Sequence, residues 1–168
     1  MQYTNIRGLR ISRFTLGTVQ LGMEYGIANR SGKPGLERSF EILTTALDEG
    51  VNCFDTANIY GNSEEILGKY FSSMHSGKKP PLITTKFKID PAGDTSHMGI
   101  EKQMYGLVEK SLHKIKIRAI PVYMLHNAKD MSLYGNAVRE TLEKMKTEGL
   151  IEKAGVSVYN PEEVEEML

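Results

Sequence analysis

The stretch Gly50-Val-Asn-Cys-Phe-Asp-Thr-Ala-Asn-Ile-Tyr-Gly-Asn-Ser-Glu-Glu-Ile-Leu-Gly68 decides how the chain reads. A glycine stops one amphipathic run, an apolar strand follows from Val51 to Asp55, and a polar turn carries Tyr60 before a new helix opens at Ser63. Asp55 therefore ends a strand, and Tyr60 lies five residues later in the turn. Lys86 closes the next apolar run and His126 closes the one after it. Four polar groups of different proton affinity fall at corresponding places in successive strand-helix units, which is where a barrel of parallel strands carries its chemistry.

Outward from this stretch, short apolar runs alternate with longer amphipathic ones, the pattern of βαβ units and a parallel sheet. Strands are expected at Phe14 to Leu21, Val51 to Asp55, Pro81 to Lys86, Ile120 to Leu125 and Lys153 to Val156. A glycine- and asparagine-rich loop, Gly22 to Gly35, follows the first. Helices are expected at Glu37 to Glu49, Ser63 to Met74, Gly99 to Ile117 and Leu133 to Thr147, with Ser63 as an N-cap and Glu64 and Glu65 favoured by the helix dipole. Pro161 opens a last helix at its first turn. A closed eightfold barrel takes about 250 residues, so roughly three units are missing from 168. A doubly wound open sheet is the other way to arrange five parallel strands, but no G-x-G-x-x-G follows the first strand.

Composition narrows the partners. Lysine plus arginine and aspartate plus glutamate number 21 each, so no basic field gathers phosphates and nucleic acid is not expected as a partner. No apolar run approaches the roughly 20 residues that span a bilayer, and Met1 to Thr15 lacks the apolar core of a signal peptide. A soluble, cytoplasmic protein without membrane contacts is expected. The single cysteine, Cys53, reads as a buried small hydrophobe within the strand of Asp55. His75, His97 and His113 read as surface or loop residues, and no pair of histidines has metal-ligand spacing.

The run GVNCFDTANIYGNSEEILG, with ITTK ending at Lys86, MLH ending at His126 and GVS ending at Ser157, resembles the aldo/keto reductase family over nearly the whole chain. The resemblance implies a parallel (β/α)8 TIM barrel of aldo/keto reductase type, here an incomplete barrel of about five strands forming the N-terminal portion of the domain over residues 1–168. It implies NADPH/NADP as cofactor, a small-molecule carbonyl as substrate, and reversible hydride transfer between them. The family's tetrad of Asp, Tyr, Lys and His falls on Asp55, Tyr60, Lys86 and His126. Ser157 falls where a serine hydrogen-bonds the nicotinamide carboxamide, although Val158 replaces the asparagine that follows in many members; Ser157 also reads as a plain cap for the turn into Pro161. By analogy, Gly22 and Tyr25 line the substrate entrance.

These residue types suit that chemistry on their own terms. Hydride addition to a carbonyl puts negative charge on oxygen, so a proton donor and hydrogen-bonding groups must surround it. Tyr60 is the expected general acid. Lys86 is expected to lower the phenol's pKa, with Asp55 holding the ammonium, and His126 to stand at the substrate oxygen. Taken singly, each has a plainer reading: Asp55 and Thr56 as a turn opener, Lys86 as a solvated neighbour of Lys88, His126 and Asn127 as a cap, Tyr60 with Gly61 as turn chemistry. Their shared order and placement favour the site. A serine hydrolase would need G-x-S-x-G, which Gly155 to Tyr159 does not complete.

In the family the groups that hold the adenosine phosphate lie mostly in the last three units, so weak cofactor binding and little activity are expected of this chain alone. Open strand edges would invite association. Three origins are weighed: a fragment of a longer enzyme, a half-barrel that dimerises to complete its sheet, and a decayed form acting, if at all, through protein association.

Overall fold

A computed structural model describes residues 1–74 and 81–167; His75 lies outside them. Two antiparallel strands, β1 (Tyr3–Ile6) and β2 (Leu9–Ser12), come first. They precede a five-stranded parallel sheet in sequential order, β3 (Leu16–Gly17), β4 (Cys53–Asp55), β5 (Leu82–Phe87), β6 (Ile120–Leu125) and β7 (Ile151–Val156). The helices are α1 (Val19–Gly22), α2 (Leu36–Asp48), α3 (Ser63–Ser72), α4 (His97–Ile115), α5 (Ala128–Thr147) and α6 (Pro161–Met167).

The β1–β2 hairpin is absent from the sequence reading. Its turn is the pair Arg7 and Gly8, both at positive φ (47° and 84°), which gives the twist a two-residue hairpin needs. Long-range hydrogen bonds hold it against the start of β4. The Asn52 side chain accepts from Ser12 N at 2.8 Å and donates to the Arg10 carbonyl at 2.9 Å, while the Tyr3 hydroxyl donates to the Gly50 carbonyl at 2.9 Å.

The expected first strand, Phe14 to Leu21, also shortens. Phe14 is 73% exposed, and only Leu16 and Gly17 pair with β4 before Val19–Gly22 wind into a helical turn. That turn brings Gly22 against the Tyr60 loop, an approach so close that a Cβ on Gly22 would lie 1.8 Å from the Tyr60 carbonyl oxygen.

Helix starts follow caps rather than apolar periodicity. Asn127 accepts from Lys129 N at 3.0 Å and starts α5 at Ala128, five residues before Leu133; Ser96 accepts from Gly99 N and starts α4 at His97. Ser63, expected as a cap, is the first residue of α3 and turns its hydroxyl inward, with Asn62 at the cap position.

Two clusters fill the space between sheet and helices. Phe54, Ile83, Leu43 and Leu67 pack beneath β4 and β5, and Phe87, Tyr123, Leu125, Met104, Val138 and Met145 pack beneath β5 to β7. Truncating a fully buried ring such as Phe54 costs about 3–5 kcal/mol by the usual measure of such changes. Cys53 is buried within β4. On the other face the register sets Asp55, Thr84, Val122 and Lys153 in one row, with Lys86 and Met124 in the next. Among the described residues β3 and β7 each pair on one side only. Beside β3 runs a groove of about 630 Å³ lined by Leu16, Leu21, Pro34 and Ile42 among others. No described helix is long and apolar enough to cross a membrane.

Candidate active site

The site is built at the C-terminal ends of β4, β5 and β6. Asp55 is the last residue of β4 and pairs in register with Thr84, so Lys86, two residues further along β5, emerges on the same face just beyond it. Its ammonium donates to both carboxylate oxygens of Asp55, at 2.6 and 2.7 Å, and to the Thr56 carbonyl at 2.9 Å. All three ammonium hydrogens are thus engaged. Lys86 is 5% exposed, whereas the Asp55 side chain keeps 36% of its surface open. The partly open carboxylate is solvated from one side, and the lysine behind it is compensated by charge and by a carbonyl dipole.

Tyr60 is carried by the turn between β4 and α3, its N–H donating to the Ala57 carbonyl and its carbonyl accepting from Ser63 N, each at 3.0 Å. The ring meets His126 edge-on, centroids 5.7 Å apart and planes at 89°, and the Lys86 ammonium stands 5.3 Å from the Tyr60 ring centroid. His126 directly follows β6, its N–H donating to the Phe87 carbonyl at 2.8 Å. Ser157 directly follows β7 and donates its N–H to the Leu125 carbonyl at 2.9 Å, which sets it beside the strand that ends at His126.

The four tetrad positions come together as the sequence places them, and Ser157 lies at the neighbouring strand end. The electrostatics differ from expectation. The Tyr60 phenol is pushed above its ordinary value by burial first, then by the Asp55 carboxylate, with Tyr159 and Tyr25 contributing. The ammonium expected to lower it is bound to Asp55, so the phenol meets a neutralised pair. Tyr60 accordingly stays a phenol, a stored proton. His126 is held below its ordinary value by burial, then by Lys86 and Lys88, against the opposing pull of Asp55, so the neutral imidazole prevails. Its Nδ1 is buried without a hydrogen-bond partner among the described residues, which leaves Nε2 as the accessible nitrogen.

Gly22 does not line the entrance. It is buried against the backbone of Tyr60 and Ser63 and fixes how the Tyr60 turn sits, together with Gly61 at a φ of 57°. Tyr25 is 56% exposed. The Thr56 carbonyl, third acceptor of the lysine, has no mark in the sequence beyond its adjacency to Asp55 at a strand end.

With this arrangement in view, comparison with known proteins is direct. The family model for the aldo/keto reductase family matches residues 13–168, and the chain belongs to that family of oxidoreductases. An aldo-keto reductase of Bacillus subtilis, YhdN, is 30% identical over 98% of this chain and 49% of its own length. The chloroplastic pyridoxal reductase of Arabidopsis thaliana is 31% identical over 77% of this chain and 36% of its own length. An aldo-keto reductase of Bacillus halodurans, solved in its holo form, superposes with a TM-score of 0.74 at 22% identity, over 99% of this chain and 53% of that one, and shares the fold. The chain spans about half the length of the curated relatives it matches. Its five-stranded sheet with helices is an α/β fold that corresponds to an incomplete (β/α)8 barrel.

Proposed function

We propose that the chain carries the proton-transfer site of an NADPH-dependent reductase of small-molecule carbonyls, with Tyr60 as general acid in reduction and general base in the reverse direction. The observation that carries this reading is the Asp55–Lys86 pair, bonded at 2.6 and 2.7 Å, beside a raised phenol that faces a neutral imidazole. NADPH, when bound, supplies the hydride. Ser157, directly after β7, would take the amide end of a nicotinamide, and Nε2 of His126 would meet a carbonyl oxygen.

The residues divide the work by proton affinity. Tyr60 arrives protonated and gives its proton to the developing alkoxide. His126 donates from Nε2 to that oxygen and orients it. The phenolate left behind forms beside the Asp55–Lys86 pair, whose ammonium stands 5.3 Å from the Tyr60 ring centroid, and Asp55 keeps the lysine charged and aimed. Among its relatives the one named a pyridoxal reductase suggests aromatic aldehydes as the substrate class to try first. NADPH consumption with pyridoxal and benzaldehyde, measured on the whole chain as encoded, tests the reading. Tyr60→Phe is expected to lower turnover by about 10²–10⁴-fold, the usual share of a positioned acid; retention of most of the turnover would sink the assignment.

A second reading rests on the open edges of β3 and β7 and the groove beside β3: a half-barrel without activity that works through association, with a second copy or another protein. Sedimentation at several concentrations distinguishes a defined dimer from a monomer, and a monomer with turnover removes this alternative. A cytoplasmic location is proposed from the lone buried thiol, which suits a reducing compartment, and cell fractionation checks it.

A further inference from the structure

The first turn of α3 buries two polar residues that a helix start would ordinarily turn to water: Ser63 is 0% exposed and Glu64 is 2% exposed. Both point into the sheet, and each grips the residue next to one member of the Asp55–Lys86 pair. The Ser63 hydroxyl stands 2.9 Å from Thr56 Oγ1 and 2.7 Å from Thr18 Oγ1, and Thr18 Oγ1 donates to the Asp55 carbonyl at 2.8 Å. Each hydroxyl has one proton to give. Thr56 donates to Ser63 and Thr18 donates to the carbonyl of Asp55, while the single Ser63 proton lies between two acceptors on Thr18, its Oγ1 and its carbonyl oxygen at 3.0 Å, so the hydroxyls close around the Asp55–Thr56 peptide. On the adjoining strand, Thr85 Oγ1 donates to Glu64 Oε1 at 2.7 Å, and Thr85 precedes Lys86. Thr18, Thr56 and Thr85 are all fully buried.

We propose that this turn is the positioning device of the site, Ser63 acting through Thr56 and Glu64 acting through Thr85 to set Asp55 and Lys86 in register. A buried carboxylate and a knot of hydroxyls are expensive fillers, and apolar side chains would close the same space with less desolvation. What they add is direction, because hydrogen-bonded groups tolerate far less displacement than packed methyls. The lysine needs that constraint: it must meet two carboxylate oxygens and the Thr56 carbonyl at once. The same turn receives the Tyr60 carbonyl on Ser63 N, so the loop bearing the phenol and the pair behind it are referred to one rigid piece of backbone.

The proposal rests on the carbonyl-reductase reading only for what the site is used for, and the test separates the two. Thr56→Val and Thr85→Val remove the hydroxyls and keep the shape; Thr56→Ser and Thr85→Ser keep the hydroxyls and lose the methyl. In the whole chain as encoded, the valine variants are expected to lower kcat about tenfold with KM within about twofold, the split of an interaction made in the transition state, while the serine variants restore it. The Tyr60 titration, read as the ultraviolet difference between each variant and its Tyr60→Phe counterpart, is expected to move in the valine variants and return in the serine ones. If valine and serine variants behave alike in that titration, whatever their melting temperatures, the turn is only structural and the proposal is overturned. Should the unaltered chain reduce no carbonyl, the functional reading fails by itself, and the Tyr60 titration still decides the positioning role.

Discussion

Asn52 and Asp55 bracket the three-residue strand β4, and their side chains do opposite things. Asn52 spends its amide on backbone groups of the hairpin, accepting from Ser12 N and donating to the Arg10 carbonyl. Asp55 gives both oxygens to another side chain and keeps a third of its surface open. Polar groups satisfied by main chain hold a fold still; a charge satisfied by a second titratable group, with a face left to solvent, can take part in chemistry. One short strand thus carries a structural lock at its start and a partly open ion pair at its end.

Substitution at each end is the most forceful way to break the comparison. Asp55→Asn removes the charge that aims Lys86 and is expected to lower kcat by about a hundredfold or more, the scale of a lost electrostatic contact in a preorganised site, and to lower the melting temperature as well, because the buried ammonium loses its counter-charge. Asn52→Ala is expected to leave kcat in place and to cost about 1 kcal/mol in denaturant unfolding, for the partly buried Ser12 N–H it strands, the Arg10 carbonyl being open to solvent. If both variants lost activity and stability in proportion, the two ends would not be separable.

Acidity sharpens the picture at smaller amplitude. With the phenol as the proposed donor in reduction and its pKa raised above 10.0, the reduction rate should hold through neutral pH and fall only as pH rises past that ordinary value. A limb centred well below it in the pH-rate profile would contradict the structure. For His126 the folded value lies below the ordinary 6.5, so the unfolded chain binds the proton first and stability drains away as pH falls through 6.5 toward the folded value. His126→Gln has no such proton to bind, and its melting temperature should fall less between pH 7 and pH 5 than that of the parent chain, a modest difference that parallel thermal scans would resolve.

What was legible in the sequence was whatever sits at a junction of elements. Asp55, Lys86, His126 and Ser157 are recognisable because apolar strands end at them, and the alternation of periods announces parallel units. The hairpin was not legible: its strands are four residues each and mostly exposed, and its anchors are Asn52 and Gly50, some forty residues away. The direction of the Tyr60 shift was hidden for a related reason. A lysine in the sequence is a charge without an address, and only the geometry reveals that all three of its hydrogens are taken by Asp55 and Thr56. Ser63 misled in the opposite way, its helix-start position suggesting a cap where the hydroxyl turns into the sheet.

The one thiol of the chain belongs to the first residue of β4, between that lock and that pair. Burial raises the Cys53 pKa, so in the closed strand it is both covered and largely protonated, and a thiol reagent must wait for β4 to open. When opening and reclosing outpace the reagent, the labelling rate divided by that of a free cysteine gives the equilibrium for opening at this strand alone. The chain therefore contains, without any added probe, a gauge of how often the strand bearing Asp55 comes apart.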